Sequence, residues 1–123
     1  MTRILIIDDE EMVRSTFQDL FEDEGFDVTL ACDGNEGIAA FDAHPMDVVI
    51  SDLLMPNKEG IETIMELRKK DTNVKIIAIS GGGAAKNLNF LDMAKKLGAD
   101  LVIPKPVDLD ELVGAVRALL GTP

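Results

Sequence analysis

The sequence predicts an α/β fold: an open, parallel, five-stranded sheet with helices on both faces. Three observations predict it. Short runs rich in Ile and Val recur at residues 4–7, 48–50, 76–79 and 101–103, and continuous apolar runs bounded by turn residues read as strands buried on both faces. Segments with helical apolar spacing lie between these runs, and such alternation implies right-handed crossovers. No internal repeat or low-complexity linker interrupts the 123 residues, a length that suits one domain with one core, expected to span residues 1–123.

The first strand is expected over residues 3–7. A helix follows over about 10–24, with Val13, Phe17, Leu20 and Phe21 on one face and Gly25 as its stop. Residues 26–30 alternate apolar and polar, which places this strand at a sheet edge with one wetter face. Asp33-Gly34 opens a second helix carrying Ile38 and Phe41, and Pro45 ends it. The third strand covers 47–51. Gly60 begins a third helix with Ile61, Ile64, Met65 and Arg68 at helical spacing. The fourth strand covers 75–80. Gly81-Gly82-Gly83 forms a loop, and a helix then runs to about Leu97, with Phe90, Ala94 and Leu97 inward and Gly98 as its cap. The fifth strand covers 100–103. The last helix starts at Asp108, with Glu111 three residues on in capping-box spacing, and presents Leu112, Val113, Val116, Leu119 and Leu120 as its apolar face.

The bulk numbers exclude some classes of function. With 23 acids against 12 bases the formal charge is -11, which repels nucleic-acid phosphates and argues against direct DNA or RNA binding. No apolar stretch reaches the length of a membrane span. Met1-Thr2-Arg3 leads straight into a strand-like run, without the h-region of a signal peptide, so a cytoplasmic location is expected. Cys32 stands alone, so an internal disulfide and a Cys-rich metal site are both ruled out.

The apolar runs share a second property: each delivers a polar group where it ends. Residues 4–7 run into Asp8-Asp9, 48–50 through Ser51 into Asp52, 76–79 into Ser80, and 101–103 into Pro104-Lys105-Pro106. In a parallel sheet the carboxyl ends share one edge, and ligands bind there. Three carboxylates, a hydroxyl and an ammonium would meet in one crevice. Two unit charges about 4 Å apart repel by roughly 4 kcal/mol at an effective dielectric near 20. Three acids would therefore raise one another's pKa values unless a cation lay between them. The candidate ligands are all oxygens, which points to a hard cation, and Mg²⁺ suits a few carboxylates, waters and a phosphate oxygen.

Each residue also has a plainer reading. Asp8 and Asp9 precede a helix, where an Asp commonly caps. Asp52 precedes a turn at Pro56, and Ser80 precedes a glycine turn. Taken singly, Asp52 and Ser80 favour those readings; two acids directly after a buried strand are less easily dismissed. Lys105 differs, because a lysine framed by two prolines at a strand end is held as no solvated surface lysine needs to be. A cis Lys105–Pro106 bond is one option open to that frame. His44, next to Pro45 at a helix end, reads as a surface or capping residue, and Cys32 as a small, at least half-buried one.

Together the pieces resemble the receiver domain of two-component response regulators, in particular the single-domain regulators of chemotaxis. The matching residues are Ile6-Ile7-Asp8-Asp9-Glu10, Asp52-Leu53-Leu54-Met55-Pro56 with Gly60, Ser80-Gly81 and Lys105-Pro106, correctly ordered and spaced over essentially the whole chain. The resemblance implies a flavodoxin-like, doubly wound sheet of strand order 2-1-3-4-5. It implies Asp52 as phosphoacceptor, and Mg²⁺ bound by Asp9 and Asp52 directly, by Asp8 through water and by the backbone carbonyl of Leu54. Ser80 and Lys105, helped by the Gly81 amide, would hold phosphoryl oxygens. The implied partners are a sensor histidine kinase or phosphotransfer protein as donor, and a downstream protein or an effector domain as output. Such a chain is a signalling module that catalyses only its own phosphorylation and dephosphorylation.

Two departures bear on output. Relatives usually carry Tyr or Phe three residues before the lysine as a rotameric switch; here Val102 stands there, a good strand former without a ring to swing. Val107 replaces a frequent Phe. Two rival functions fit the residues less well. A phosphorylation-independent module of the same fold lacks an acid or the lysine, and this chain keeps all of them. A Mg²⁺-dependent phosphatase with an aspartyl nucleophile has Asp-x-Asp after its first strand; here the pair is adjacent and Asp52-Leu53-Leu54 lacks the second acid.

Overall fold

A computed structural model of the chain describes residues 2–53, 60–80, 92, 95–96 and 98–121. In chain order its elements are β1 (Arg3–Ile7), α1 (Glu11–Asp23), β2 (Asp27–Ala31), α2 (Gly34–Ala43), β3 (Val48–Asp52), α3 (Gly60–Lys70), β4 (Lys75–Ser80), β5 (Leu101–Pro104) and α4 (Leu109–Leu120). All strand pairs are parallel, in the order β2-β1-β3-β4-β5. The predicted helix ending near Leu97, with Phe90, Ala94 and Leu97, and the Gly81-Gly82-Gly83 loop lie outside the described residues.

Alternation along the strands splits the core into two layers. Leu5 and Ile7 of β1, Val49 of β3 and Ile76 of β4 face a cluster with Ile38 of α2 and with Ile64 and Leu67 of α3. Ile4 and Ile6, Val48 and Ile50, and Ile77 and Ile79 face the other way, onto Phe17 and Phe21 of α1 and Leu112 and Val116 of α4. Both faces of the central strands are thus covered, which is why their sequences are continuous apolar runs. β2 lies at the edge, and its Asp27 is exposed while its next three residues are half-buried.

Local chemistry sets the boundaries. Gly25 adopts φ +91, and the Phe26 N–H donates to the Phe21 carbonyl at 3.0 Å, closing α1. That bond keeps Phe26 out of β2, which starts one residue later than the alternation suggested. The rings of Phe21 and Phe26 meet edge to face at 5.7 Å. Asp33 and Asp108 cap α2 and α4 by accepting from the N–H groups of Glu36 (2.8 Å) and Glu111 (3.0 Å). β3 runs one residue beyond its expected end, because Asp52 still pairs with Ile79. The packed face of α3 is Gly60, Thr63, Ile64 and Leu67, while Met65 is exposed, so the expectation for Met65 is corrected. Positions i, i+3, i+4 and i+7 from Gly60 form one stripe, and Met65 falls off it.

Arg68 is a latch rather than a packed stem. Its guanidinium donates to the Gly98 carbonyl (2.6 and 3.0 Å), the Thr72 and Val74 carbonyls (3.0 and 2.7 Å) and the Asp100 carboxylate (2.8 Å). Asp100 in turn accepts from the Ile76 N–H at 2.8 Å. The network joins α3 to the starts of β4 and β5, opposite the edge where the strands end. Arg68→Met is expected to cost about 2–3 kcal/mol, since several carbonyls and a carboxylate lose their donor at once. Urea unfolding followed by circular dichroism measures this, and a loss below about 1 kcal/mol would reduce the latch to a surface ion pair.

Candidate functional site

The register fixes which residues share the carboxyl edge. Ile7 pairs with Ser51, Asp52 with Ile79, and Ser80 with Pro104. The residues at or just past these positions are Asp8-Asp9, Asp52, Ser80 and Lys105, so the edge gathers the polar groups that the run endings indicated. Oxygens of Asp8, Asp9 and Asp52 lie within 4.8 Å of one another. Asp8 and Asp52 are buried and Asp9 is exposed. On the other side the Lys105 ammonium lies 3.1 Å from Asp52 Oδ2. Lys105 N–H donates to the Ser80 carbonyl at 2.8 Å, tying the ends of β5 and β4. The Lys105–Pro106 bond is cis.

The β1–α1 turn is pinned through Asp8. Its N–H donates to the Ala31 carbonyl (3.1 Å), its carbonyl accepts from Arg14 Nη1 (2.9 Å), and its Oδ1 accepts from the Glu10 N–H (2.9 Å). Capping therefore accounts for one oxygen of Asp8 and for nothing of Asp9. At the end of β3, Gly60 N–H donates to the Leu53 carbonyl at 3.0 Å. A Cβ on Gly60 would run into the Asp52 carbonyl oxygen and the Leu53 Cα, so only glycine lets α3 start this close to the Asp52 strand.

The electrostatics match the geometry. Burial, reinforced by the charges of Asp52 and Asp9, pushes Asp8 up to about 6, against the pull of the Glu10 N–H and Lys105. Burial draws the Lys105 ammonium downward, but the hydrogen bond and charge of Asp52, with Asp8 and Glu10, outweigh it and hold its pKa above the usual lysine value. Lys105 is thus charged throughout the neutral range. The cluster carries more negative charge than one ammonium offsets.

The residues present fit a hard divalent cation, since three carboxylates converge with only oxygen donors among them. They also fit a phosphoryl group. Ser80 is fully buried and its Oγ has no hydrogen-bond partner among the described residues. An orphaned buried hydroxyl costs about 1–3 kcal/mol, and a phosphoryl oxygen shared with Lys105 would satisfy it. The Leu54 carbonyl, the Gly81 amide and the Pro56 turn lie outside the described residues. Val102 is half-buried against the α2–α3 layer. His44 is the exposed C-cap of α2. The half-buried Cys32 thiol donates to Glu36 Oε2 at 3.2 Å, and that bond pushes its pKa up, so it stays a thiol. No described helix is long and apolar enough to cross a membrane.

Arg14 was not signalled by the sequence, because its bond goes to a main-chain carbonyl. Three comparisons then place the chain among known proteins. The family profile for the response regulator receiver domain matches residues 4–117. The transcriptional regulatory protein CpxR of Klebsiella pneumoniae is 36% identical over 120 residues, 98% of this chain and 50% of that protein. The response regulator ArlR of Staphylococcus saprophyticus is 32% identical, over 98% of this chain and 53% of that one. The chain thus spans about half the length of these curated relatives. Among solved structures, a receiver domain protein of Clostridium thermocellum superposes with TM-score 0.89 at 30% identity, covering 98% of this chain and 95% of that one. The response regulator TrrA of Thermotoga maritima, solved in complex with Mg²⁺-BeF, does so with TM-score 0.85 at 33% identity, covering 97% and 99%.

Proposed function

The chain belongs to the response-regulator receiver domain family of two-component signalling, and on that premise we propose that it is a phospho-acceptor switch acting through Asp52. The observation that carries the reading is the convergence on Asp52: two further carboxylates within 4.8 Å and the Lys105 ammonium at 3.1 Å. Asp8, Asp9 and Asp52, with the Leu54 carbonyl, would hold Mg²⁺, which when bound neutralises charge and anchors a phosphoryl oxygen.

The remaining work falls to this chain's residues. The Asp52 carboxylate attacks the phosphorus of a phosphohistidine in line. An O–P bond forms, the P–N bond breaks, and the imidazole leaves with its electron pair. Lys105 moves from its ion pair with Asp52 to the incoming phosphoryl oxygens, and Ser80 Oγ donates to another. The donor is a sensor kinase or phosphotransfer protein. An apolar groove of about 660 Å³ between α1 and Pro106-Val107 opens beside Lys105, a surface on which a protein donor can rest. The product is an altered surface read by a downstream partner or by an effector domain, so the chain is a signalling module located in the cytoplasm.

Intact mass after incubation with acetyl phosphate or phosphoramidate and Mg²⁺ tests the proposal. The chain should gain one phosphoryl group, and EDTA should abolish the gain. Uptake unchanged by EDTA would remove the metal from the mechanism. No uptake from either donor with Mg²⁺ would favour a phosphorylation-independent binding module.

A further inference from the structure

The geometry points to Arg14 as a positioning residue that aims the Asp8–Asp9 pair by holding the peptide between them, and thereby sets affinity for the divalent cation. The inference rests on the reading of the acid cluster as the cation site. Arg14 lies one turn into α1, its own N–H bonded to the Glu10 carbonyl at 3.1 Å. Its side chain turns back to the strand end and donates from Nη1 to the Asp8 carbonyl at 2.9 Å.

That carbonyl belongs to the peptide whose other end is the Asp9 nitrogen. The Asp9 carboxylate is exposed and makes no hydrogen bond or ion pair among the described residues. No bond of its own side chain to the described residues fixes its direction. Its backbone position is set by the 8–9 peptide, whose carbonyl Arg14 holds, while the Ala31 carbonyl holds the N–H of the preceding 7–8 peptide, so the chain is fixed on both sides of the Asp8 Cα. Asp8 is fixed too, with Oδ1 on the Glu10 N–H, which leaves Oδ2 for the cluster. A guanidinium suits this role, because its planar fork is rigid and permanently charged. Groups that orient metal-binding side chains from behind typically change affinity by about 10–100-fold when removed.

The test is direct Mg²⁺ binding by calorimetry, or by the amide shifts of Asp9 and Glu10, since the chain has no Trp or Tyr to report. Arg14→Ala should raise the Mg²⁺ dissociation constant about tenfold at a temperature where it is fully folded. Arg14→Lys, which keeps a charged donor, should fall between Arg14→Ala and the native chain. Arg117→Ala is the control. Arg117 bonds Glu24 at 2.6 Å just past the other end of α1, so its loss loosens the same helix without touching the turn. It should lower the melting temperature and leave the constant unchanged. Arg14→Ala and Arg14→Lys binding as tightly as the native chain would overturn the inference, as would an equal loss in Arg117→Ala. A native chain that binds no Mg²⁺ would instead sink the cation site itself.

Discussion

Asp52→Asn is expected to take up no phosphoryl group under conditions where the native chain gains one. Asparagine is close to isosteric with Asp52, so β3 and its pairing with Ile79 should survive. It is neutral, however, and its amide is a poor nucleophile toward phosphorus. The neighbouring acids are badly placed to substitute. Asp8 has one oxygen tied to the Glu10 N–H and sits deep in the edge. Asp9 is exposed, and the Lys105 ammonium is paired with Asp52. Intact mass would show the loss, and borohydride reduction followed by peptide mapping would locate the native label. Label on Asp8 or Asp9, or undiminished uptake by Asp52→Asn, would sink the assignment.

The fold was legible where one physical rule dominates. β1, β3 and β4 are buried on both faces, so their sequences are unbroken apolar runs. β2 lies at the edge, and its alternation said so. Asp33 and Asp108 advertise helix starts because a short acid before a helical segment has an N–H to accept from. Boundaries slipped by a residue at Phe26 and Asp52, where a helix-closing bond and a continued ladder respectively took over. Met65 shows the limit of apolarity as a guide: a methionine at helical spacing can still fall off the buried stripe.

The gathering of polar groups at one edge was legible for a topological reason. Parallel strands end together, so residues 8, 52, 80 and 105 meet despite their separation in sequence. Interactions ending on backbone were not. Arg68 reads as a helix residue, yet its partners include the carbonyls of Thr72, Val74 and Gly98. Arg14 likewise serves a carbonyl, and a main-chain group carries no sequence label. The state of Asp8 was half legible: charge repulsion was expected to raise it, but burial, the larger cause, needs the structure.

Asp8→Asn is expected to make the metal-free protein more stable at pH 7.5 while crippling Mg²⁺ binding. Burial raises Asp8 from an ordinary 3.8 to about 6 in the folded state. An acid raised on folding holds its proton more tightly when native, so protonation favours the fold. The Asp8 contribution to stability is therefore most favourable below about pH 4, is lost as pH rises toward 6, and above 6 becomes the cost of an ionised buried carboxylate, about 1–3 kcal/mol for a shift of this size. Asparagine removes the charge and keeps an oxygen for the Glu10 N–H. Urea unfolding in EDTA should therefore rank Asp8→Asn above the native chain at pH 7.5, with the gap closing toward pH 4.5. Mg²⁺ should reverse the ranking, because binding stabilises the native chain by an amount that grows with the logarithm of the Mg²⁺ concentration over Kd, while the variant lacks the carboxylate proposed to help hold the cation. A native chain more stable than Asp8→Asn at pH 7.5 in EDTA, or a gap that persists unchanged at pH 4.5, would mean that the fold does not hold Asp8 ionised at a cost. The reversal, if seen, would mean that the acid cluster is tolerated because a cation relieves it, which places the instability in the site and not in the core.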